Sequence, residues 1–569
     1  MALLPGDILP RTLGELLRVH KQFPLGESFA AVASFAVVAH VIFNRWEPMR
    51  VDVVSTLLLG IPMILSLLLA PHLGLVLGLA ATLTFYNVTL VTSIVLYRLS
   101  PFHPLWRYPG PLMARTTQLW HAWQAHKGQQ HLYLKHMHDR YGDVVRMGPN
   151  EISIRDASCI APLYGTHGLP KGPGSTGRQM HPPELSLIGY RDTARHSARR
   201  KPWARGLGSA AVREYIPALR VRVHQLVDAL AANHGQVADL AKWLSFFSYD
   251  FMGDMAFGGW TEMMRDGYDK DGFWNMIHLT LNTGAVFEQI PWLAYYVKRV
   301  PAVNQIIMRM RQLASQHAAR RYAQGATTRD LFYYLSGEDL PDGSARPPRH
   351  HVTADGLLAV VGGSDTTSSA LSNLFYLILG SRKAYQKLQA EVDAYYPPGE
   401  DSLDPKHHNE MPYLNAVINE TLRCLPPILS GSQRAPLIGG GDVTIGPYYV
   451  PEGNQVRVHY YSVHHDPRYF SDPAAFYPER WLVAAGKLAP PDYFVHDERA
   501  FVPFSFGPSN CVGKGLALQQ MRSTVVHIMA HLEMRFADGY NPAVWETQVL
   551  DKGVMVLAGP LPVVVEMRG

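Results

Sequence analysis

The residue whose type and position most clearly suggest a chemical role is Cys511. It lies in the segment FVPFSFGPSNCVGKG, shortly before a predicted amphipathic helix. A sulfur at a helix start lies near unpaired backbone amides and the positive end of the helix dipole, which favours the thiolate form. Gly507 and Gly513 allow the loop to bend closely around this sulfur, and Phe504 is placed to cover a flat apolar ligand. A buried cysteine at the start of a helix would produce the same local pattern.

The rest of the sequence limits the metals that a Cys511 thiolate could bind. Zinc and iron–sulfur sites need several protein ligands, and no second Cys or His lies at a suitable spacing. The chain has 3 cysteines in all, and Cys159 and Cys424 are interpreted as core residues. A lone thiolate ligand therefore points to the iron of a haem group.

A second candidate site is the run from Gly362 to Thr367, which interrupts the apolar face of a predicted helix. Gly362 and Gly363 each cost about 1 kcal/mol relative to Ala in a helix interior, so their presence needs a reason. The Thr366 hydroxyl can donate to the carbonyl of Gly362, which would open the helix locally, and the glycines would leave room for a small ligand. The alternative is a close crossing of two helices through small residues.

A third pattern consists of charged residues on the predicted helix MPYLNAVINETLRCL. Glu420 and Arg423 are three residues apart and lie on one face, where they can pair. Such a pair is usually a solvated surface bridge. Here it is followed by the segment FYPERW, which contains Arg480.

These three patterns occur together in the order found in the cytochrome P-450 family, which the chain resembles from about residue 105 to residue 569. The resemblance implies that Cys511 is the axial ligand of haem b iron and that Asp365 and Thr366 relay protons to dioxygen. It also implies that Glu420, Arg423 and Arg480 form a structural network that supports folding and haem retention.

The resemblance assigns further residues to the cofactor and the substrate. His196, Arg200 and Arg434 are expected to hold the haem propionates, although each could be an ordinary surface cation. Ser509 departs from the family pattern, which has Arg or His two residues before the ligand cysteine, so one propionate contact is lost or becomes a hydroxyl bond. Analogy also gives a cofactor-binding set and an apolar set that lines the substrate pocket. The first set comprises Gly362, Gly363, Phe504, Gly507 and Gly513, and the second comprises Leu358, Ile428, Leu429, Val554 and Met555.

The elements that must position these residues are mostly helices. Apolar periodicity predicts helices over 209–232, 352–380, 383–396, 411–424 and 514–533. Short strand-like pieces are predicted at 144–147, 152–154, 443–445, 448–450, 455–460, 554–557 and 562–566. The expected fold is therefore mainly α with a minor β-sheet region, in one catalytic domain over 105–569, and it corresponds to the cytochrome P-450 fold.

Residues 1–104 are expected to form a membrane anchor. Segments 54–70 and 73–97 lack Asp, Glu, Lys and Arg and read as a helical hairpin that turns at Pro71 and His72. Segment 28–43 is a possible third span, so two and three spans both remain open. The positive-inside rule places the arginines that flank the hairpin, and hence the C-terminal domain, in the cytosol. Three spans would place Arg11, Arg18 and Lys21 in the lumen, which the rule disfavours.

Composition agrees with a partly membrane-embedded chain and excludes some functions. Of the 569 residues, 47% are hydrophobic and only 17% are charged. The 52 Lys and Arg residues exceed the 47 Asp and Glu residues by a net charge of +5, which is too dilute to indicate nucleic-acid binding.

The function that the resemblance implies is a haem-thiolate monooxygenase of the endoplasmic reticulum membrane. It would insert one oxygen atom from O2 into a lipophilic small molecule, by hydroxylation or epoxidation, with electrons from NADPH-cytochrome P-450 reductase. The apolar N-terminus resembles that of fungal members, which often act in secondary metabolism. Two alternatives remain: a haem-thiolate isomerase or dehydratase that acts on an oxidised lipid without O2, and a membrane haem sensor or carrier.

Overall fold

The computed structural model describes residues 23–180, 182 and 184–568. The chain divides into two units, Met1–Arg107 and Tyr108–Gly569. Arg11, Arg18 and Lys21, which bear on the membrane orientation, lie outside the described residues.

The N-terminal unit contains three apolar helices, Leu25–Trp46, Val51–Leu73 and Leu75–Leu99, of 22, 23 and 25 residues. A helix needs about 17 to 25 apolar residues to cross a bilayer, so all three could span a membrane by length and composition. The possible span over 28–43 is thus part of a longer helix.

The turn between the second and third of these helices lies at Gly74 and not at Pro71 and His72, as the sequence had suggested. Both residues belong to the last turn of the helix that ends at Leu73. Gly74 has a φ of +82°, a conformation that glycine adopts without steric penalty. A Cβ at Gly78 would lie 2.9 Å from the Cα of Ala70, so the two helices cross closely.

Helices make up most of the C-terminal unit. Four of them position the site and are named here by their content: the basic helix Thr193–Gly206, the packing helix Leu240–Phe257, the central helix Arg349–Leu379 and the cysteine helix Lys514–His531. The remaining α-helices are Leu112–Thr116, Gln118–Lys127, Gln130–Tyr141, Ile160–Tyr164, Gly174–Arg178, Ser209–Glu214, Ile216–Ala231, Met263–Asp266, Phe273–Gln289, Pro291–Val297, Pro301–Gln324, Leu331–Leu335, Arg382–Tyr395, Pro412–Cys424, Tyr460–His464, Glu479–Ala484 and Val544–Gln548.

Two predicted helices differ from those observed. The stretch predicted as one helix over 209–232 forms two helices that are separated at Tyr215, because Pro217 lies in the first turn of the second helix. The helix predicted over 514–533 ends at His531, since Leu532 begins a strand.

The strands form small sheets, as expected. Their bounds are β1 Val144–Gly148, β2 Glu151–Ile154, β3 Val237–Asp239, β4 Val443–Ile445, β5 Tyr448–Val450, β6 Gln455–Val458, β7 Leu532–Phe536, β8 Val549–Asp551, β9 Met555–Leu557 and β10 Pro562–Met567. Two three-stranded sheets have the orders β1-β2-β6 and β3-β10-β7, and β4-β5 and β8-β9 are hairpins. The β2–β6 pair is parallel, with Ile152 opposite Val456. Strands β3, β7 and β8 were not predicted from the sequence.

The central helix packs closely against the packing helix through two glycines. A Cβ at Gly356 would lie 2.6 Å from Cζ of Phe257, and a Cβ at Gly363 would lie 2.7 Å from the sulfur of Met252. The alternative explanation of the glycine run as a helix crossing therefore applies to Gly363.

Glu420, Arg423 and Arg480 meet in the protein interior, each 0% exposed. Both guanidinium groups donate to the Glu420 carboxylate, Arg423 through two hydrogen bonds of 2.9 and 3.0 Å and Arg480 through one of 3.0 Å. The amide of Tyr477 and the indole of Trp481 donate to the same carboxylate. These cations lower the pKa of Glu420, because they stabilise its charged form. The group is therefore not a solvated surface pair.

Replacing Glu420 by Gln should destabilise the fold by about 3 to 5 kcal/mol, because it leaves two buried guanidinium groups without their counter-charge. Urea unfolding of the full-length protein in detergent, followed by far-UV circular dichroism, measures this change. The control is Asp538→Asn at the exposed Arg535–Asp538 pair, where a change of about 0 to 1 kcal/mol is expected. A Glu420→Gln variant as stable as this control would contradict the assignment of a structural network.

Candidate functional site

The thiol of Cys511 lies in a cleft formed by three parts of the C-terminal unit. Its walls are the segment Ser509–Gly513 with the start of the cysteine helix, one face of the central helix and one face of the basic helix. Of the chain's cysteines, Cys159 and Cys424 are buried, whereas Cys511 is exposed. The cleft thus contains the one cysteine that an external ligand can reach.

The loop before the cysteine helix is fixed by its own backbone. The amide of Cys511 donates to the carbonyl of Phe504 at 2.8 Å. Gly507 has a φ of +70°, and a Cβ there would lie 2.1 Å from the carbonyl oxygen of Tyr164. A Cβ at Gly513 would lie 3.8 Å from the Cys511 sulfur. That distance is ordinary van der Waals contact, so the sulfur does not require a glycine at position 513. Gly507 permits contact with a neighbouring loop, and Phe504 does not line the cleft.

The electrostatic environment of Cys511 differs from the one inferred from the sequence. Removal from water raises the pKa of this thiol, and the amides of Gly513 and Lys514 and the charges of Arg200 and Lys514 offset that effect only in part. The helix start therefore favours the thiolate, as expected, but removal from water opposes it in the free thiol. A coordinated metal ion would supply the missing stabilisation, because metal-bound thiols are deprotonated.

The central helix contributes Gly362 and Thr366 to the cleft. A Cβ at Gly362 would have no atom within 4 Å, so this glycine leaves open space. The Thr366 hydroxyl donates to the Gly362 carbonyl at 2.7 Å, the bond that the spacing suggested. The helix nevertheless runs without interruption from Arg349 to Leu379, and the expected local opening is not observed.

Asp365, next to Thr366 in the sequence, points to a different cavity. This second cavity is lined by the packing helix start, by Trp274 and His278, and by the turn that follows β9. Within it, the Tyr249 hydroxyl donates to the Asp365 carboxylate at 2.9 Å, and Nε2 of His278 lies 3.5 Å from the other oxygen. The structure therefore does not bring Asp365 and Cys511 into one cavity.

Four basic side chains, those of Lys171, His196, Arg200 and Arg434, lie at or next to one side of the Cys511 cleft. Lys171, His196 and Arg200 line the cleft directly, and Lys171 pairs with Arg434 through a backbone β-bridge. Burial and the charges of Arg434 and Arg200 lower the pKa of Lys171 to about 7. Burial followed by the same cations lowers the pKa of His196 to about 4. Within the described part of the chain, none of the four forms an ion pair.

Lys171 was missed from the sequence because it lies in a loop far from every recognised motif. Only the fold brings it beside Arg434, and a lone lysine carries no spacing signal. Its presence bears on Ser509, which also lines the cleft and lacks a charge. Lys171 thus supplies a cation that the loop before Cys511 does not.

The cleft fits haem, an apolar ring with two carboxylate groups. Arg434 is buried, burial lowers its pKa, and its Nε atom has no hydrogen-bond partner. Burying cations is unfavourable unless an anion compensates their charge, so this cluster predicts an anionic ligand. The remaining walls include the apolar side chains of Leu358, Val512 and Leu516. The donor set is therefore suited to a flat apolar group whose edge carries carboxylates.

The predicted substrate contacts are only partly near this cleft. Leu358 lines it, whereas Met555 lines the second cavity. Ile428, Leu429 and Val554 line neither of these two cavities. Analogy alone assigned four of these residues to the substrate pocket, without a local sequence pattern: Met555, Ile428, Leu429 and Val554. Their contact with substrate stays a prediction.

Comparison with known proteins gives a consistent result. The sequence model described as Cytochrome P450 matches residues 109–563. Cytochrome P450 67 of Uromyces fabae is 31% identical over 94% of this chain and 98% of its own length. Cytochrome P450 monooxygenase FCK2 of Fusarium pseudograminearum is 34% identical over 79% of each chain. Tryprostatin B 6-hydroxylase of Aspergillus fumigatus is 29% identical over 87% of this chain and 86% of its own. The chain therefore belongs to the cytochrome P450 family of haem-thiolate monooxygenases.

Proposed function

We propose that this cytochrome P450 inserts one oxygen atom from O2 into a lipophilic small molecule, by hydroxylation or epoxidation, in fungal secondary metabolism. The observation that carries the proposal is a single cleft with an exposed thiol on one wall and the Gly362–Thr366 face on another. Apolar side chains line the space near them, including those of Leu187, Ile188 and Leu358. The relative named Tryprostatin B 6-hydroxylase, a hydroxylating enzyme by its name, supports this reaction class.

The cofactor in this proposal is haem b, with Cys511 as its axial ligand. The basic groups of Lys171, His196, Arg200 and Arg434 would hold the two propionates. Bound haem supplies the activation of O2 and the transfer of one oxygen atom to the substrate. The apolar cleft walls would orient a lipophilic substrate and exclude water from it.

Two side chains of the central helix would take part in proton transfer, each from a different cavity. The Thr366 hydroxyl lies in the cleft, where it can hold a proton now directed to the Gly362 carbonyl. The Asp365 carboxylate lies in the second cavity, where Tyr249 donates to it and His278 lies close. We propose that Asp365 supplies protons and that Thr366 delivers them, from adjacent positions on the same helix.

Residues 1–104 would anchor the catalytic domain, residues 105–569, in the endoplasmic reticulum membrane. Arg45 and Arg50 precede the helical hairpin and Arg98 follows it, so all three lie on one side if the hairpin crosses twice. The positive-inside rule makes that side the cytosol. The catalytic domain would then receive electrons from NADPH-cytochrome P450 reductase of the same membrane.

Replacing Lys171 by Met should weaken haem retention about 10-fold or more, because a charge-assisted hydrogen bond is worth about 1.5 to 3 kcal/mol. Haem transfer to apomyoglobin measures the loss, and Lys171→Arg should restore much of it. Lys201→Met, at an exposed position of the basic helix, is the control. Retention equal to that of the wild type in Lys171→Met would remove Lys171 from the propionate site.

For Thr366→Ala, haem content and substrate binding should persist while product per NADPH consumed falls and peroxide rises, because the hydroxyl that delivers protons is gone. The control is Thr353→Ala on the same helix, whose hydroxyl makes the same type of bond to the Arg349 carbonyl at 3.0 Å but does not line the cleft. Wild-type coupling in Thr366→Ala would place the proton path elsewhere.

Cys511→His should lose both the red-shifted Soret band of the reduced carbon monoxide complex and monooxygenation, since only a thiolate ligand donates enough electron density to give that band. Cys159→Ser and Cys424→Ser should keep it. Burial raises the pKa of both of these thiols to about 12, which suits inert core residues. Survival of the band in Cys511→His would overturn the ligand assignment.

A further inference from the structure

Glu184, His350 and His351 form a side-chain cluster outside the Cys511 cleft. Nε2 of His350 lies 3.5 Å from Oε1 of Glu184, and Nε2 of His351 lies 3.4 Å from Oε2. One ligand atom from each of the three residues lies within 4.8 Å of the other two. Two imidazoles and a carboxylate thus converge on one small volume.

These ligand types and separations match a zinc site more closely than a chance surface contact. Zinc binds imidazole nitrogen and carboxylate oxygen at about 2.0 to 2.2 Å, so tetrahedral ligand atoms lie about 3.3 to 3.5 Å apart. His350 is 57% exposed, Glu184 42% and His351 28%, so the side chains can tighten and water can reach a fourth position.

The charges around the cluster permit a cation to bind. Arg199 is the cation that would oppose a metal ion, and its charge is compensated by Asp355 at 2.9 Å. Glu184 provides the negative charge on the opposite side.

The cluster joins the central helix, which carries His350 and His351, to the segment that follows Glu184. His351 and Asp355 are four residues apart and so share one face of that helix. Asp355 already holds this segment, because its carboxylate accepts a hydrogen bond of 3.1 Å from the amide of Leu187. Leu187 and Ile188 line the Cys511 cleft.

We propose that Glu184, His350 and His351 bind one Zn²⁺ ion, and that this ion fastens the segment before Leu187 to the central helix. The ion would add a second attachment one helical turn from Asp355. Zinc would thereby restrict movement of the Leu187–Ile188 wall of the cleft.

Binding is tested on untagged, full-length, haem-loaded protein in detergent by competition with a chromogenic zinc chelator. The expected result is one zinc per chain, with affinity at least about 10-fold weaker in Glu184→Gln and in His351→Ala, since even outer groups around a metal contribute 10- to 100-fold. The matched control is His407→Ala, which removes an exposed imidazole 3.5 Å from Glu410 and should leave zinc affinity unchanged. Absence of stoichiometric zinc binding, or equal affinity in all variants, would overturn the proposal.

Hydrogen exchange tests whether zinc restricts movement of the Leu187–Ile188 segment. Zinc should slow exchange of the Leu187 and Ile188 amides in the wild type but not in Glu184→Gln. Equal exchange with and without zinc in the wild type would overturn the structural role of the ion. Neither measurement involves turnover, so their outcome does not depend on the proposed reaction.

Discussion

The packing of the central helix against the packing helix fixes the rotation of the central helix, and this rotation determines what each part of the site can do. Gly356 and Gly363 allow Phe257 and Met252 to approach the helix backbone, which any larger residue would prevent. Successive residues of an α-helix point about 100° apart, so the helix that turns Thr366 into the Cys511 cleft turns Asp365 away from it. This one helix contact thus separates the side that faces the Cys511 cleft from the side that faces the second cavity.

Charge compensation distinguishes two of the buried ionic groups of the domain. Two guanidinium groups surround the Glu420 carboxylate, so residues of the chain itself compensate the charges of this group. Around Lys171, buried cations face one another without a carboxylate, so like charges and burial lower the lysine pKa to about 7. An anionic ligand in the cleft would offset the like-charge repulsion and so raise that pKa, although the lysine would stay buried. Binding of a carboxylate-bearing cofactor is therefore coupled to proton uptake by Lys171, and it relieves an electrostatic cost of the ligand-free fold.

Sequence reasoning succeeded where a feature depends on residues close together in the chain. The main helices, most of the small strands and the Thr366–Gly362 bond all follow from local spacing. Sequence reasoning failed where the position of a residue depends on packing. No sequence pattern indicates that Asp365 contacts Tyr249 or that Lys171 lies beside Arg434. The same limit explains the turn at Gly74: proline suggested a break, but the helix continues past Pro71 and ends where glycine permits a positive φ. At Cys511 the sequence indicated the favourable helix start, but the desolvation that opposes the thiolate in the free thiol depends on packing that the sequence does not show.

The cations around the cleft are not equivalent, although the family resemblance treats them alike. Both terminal nitrogens of Arg200 already donate to Asn510, at 2.7 Å to its carbonyl and 2.7 Å to its side chain. Asn510 directly precedes Cys511, so Arg200 holds the cysteine loop in place and has less donor capacity for a ligand. Arg434 uses one terminal nitrogen on the carbonyl of Leu169, and its Nε is without a partner. The Lys171 amine also donates to the carbonyls of Leu187 and Ile188, at 3.3 and 3.1 Å, and retains one N–H. Arg434, with its unpartnered Nε, therefore has the most spare capacity, and we propose that it and Lys171 compensate for the cation missing at Ser509.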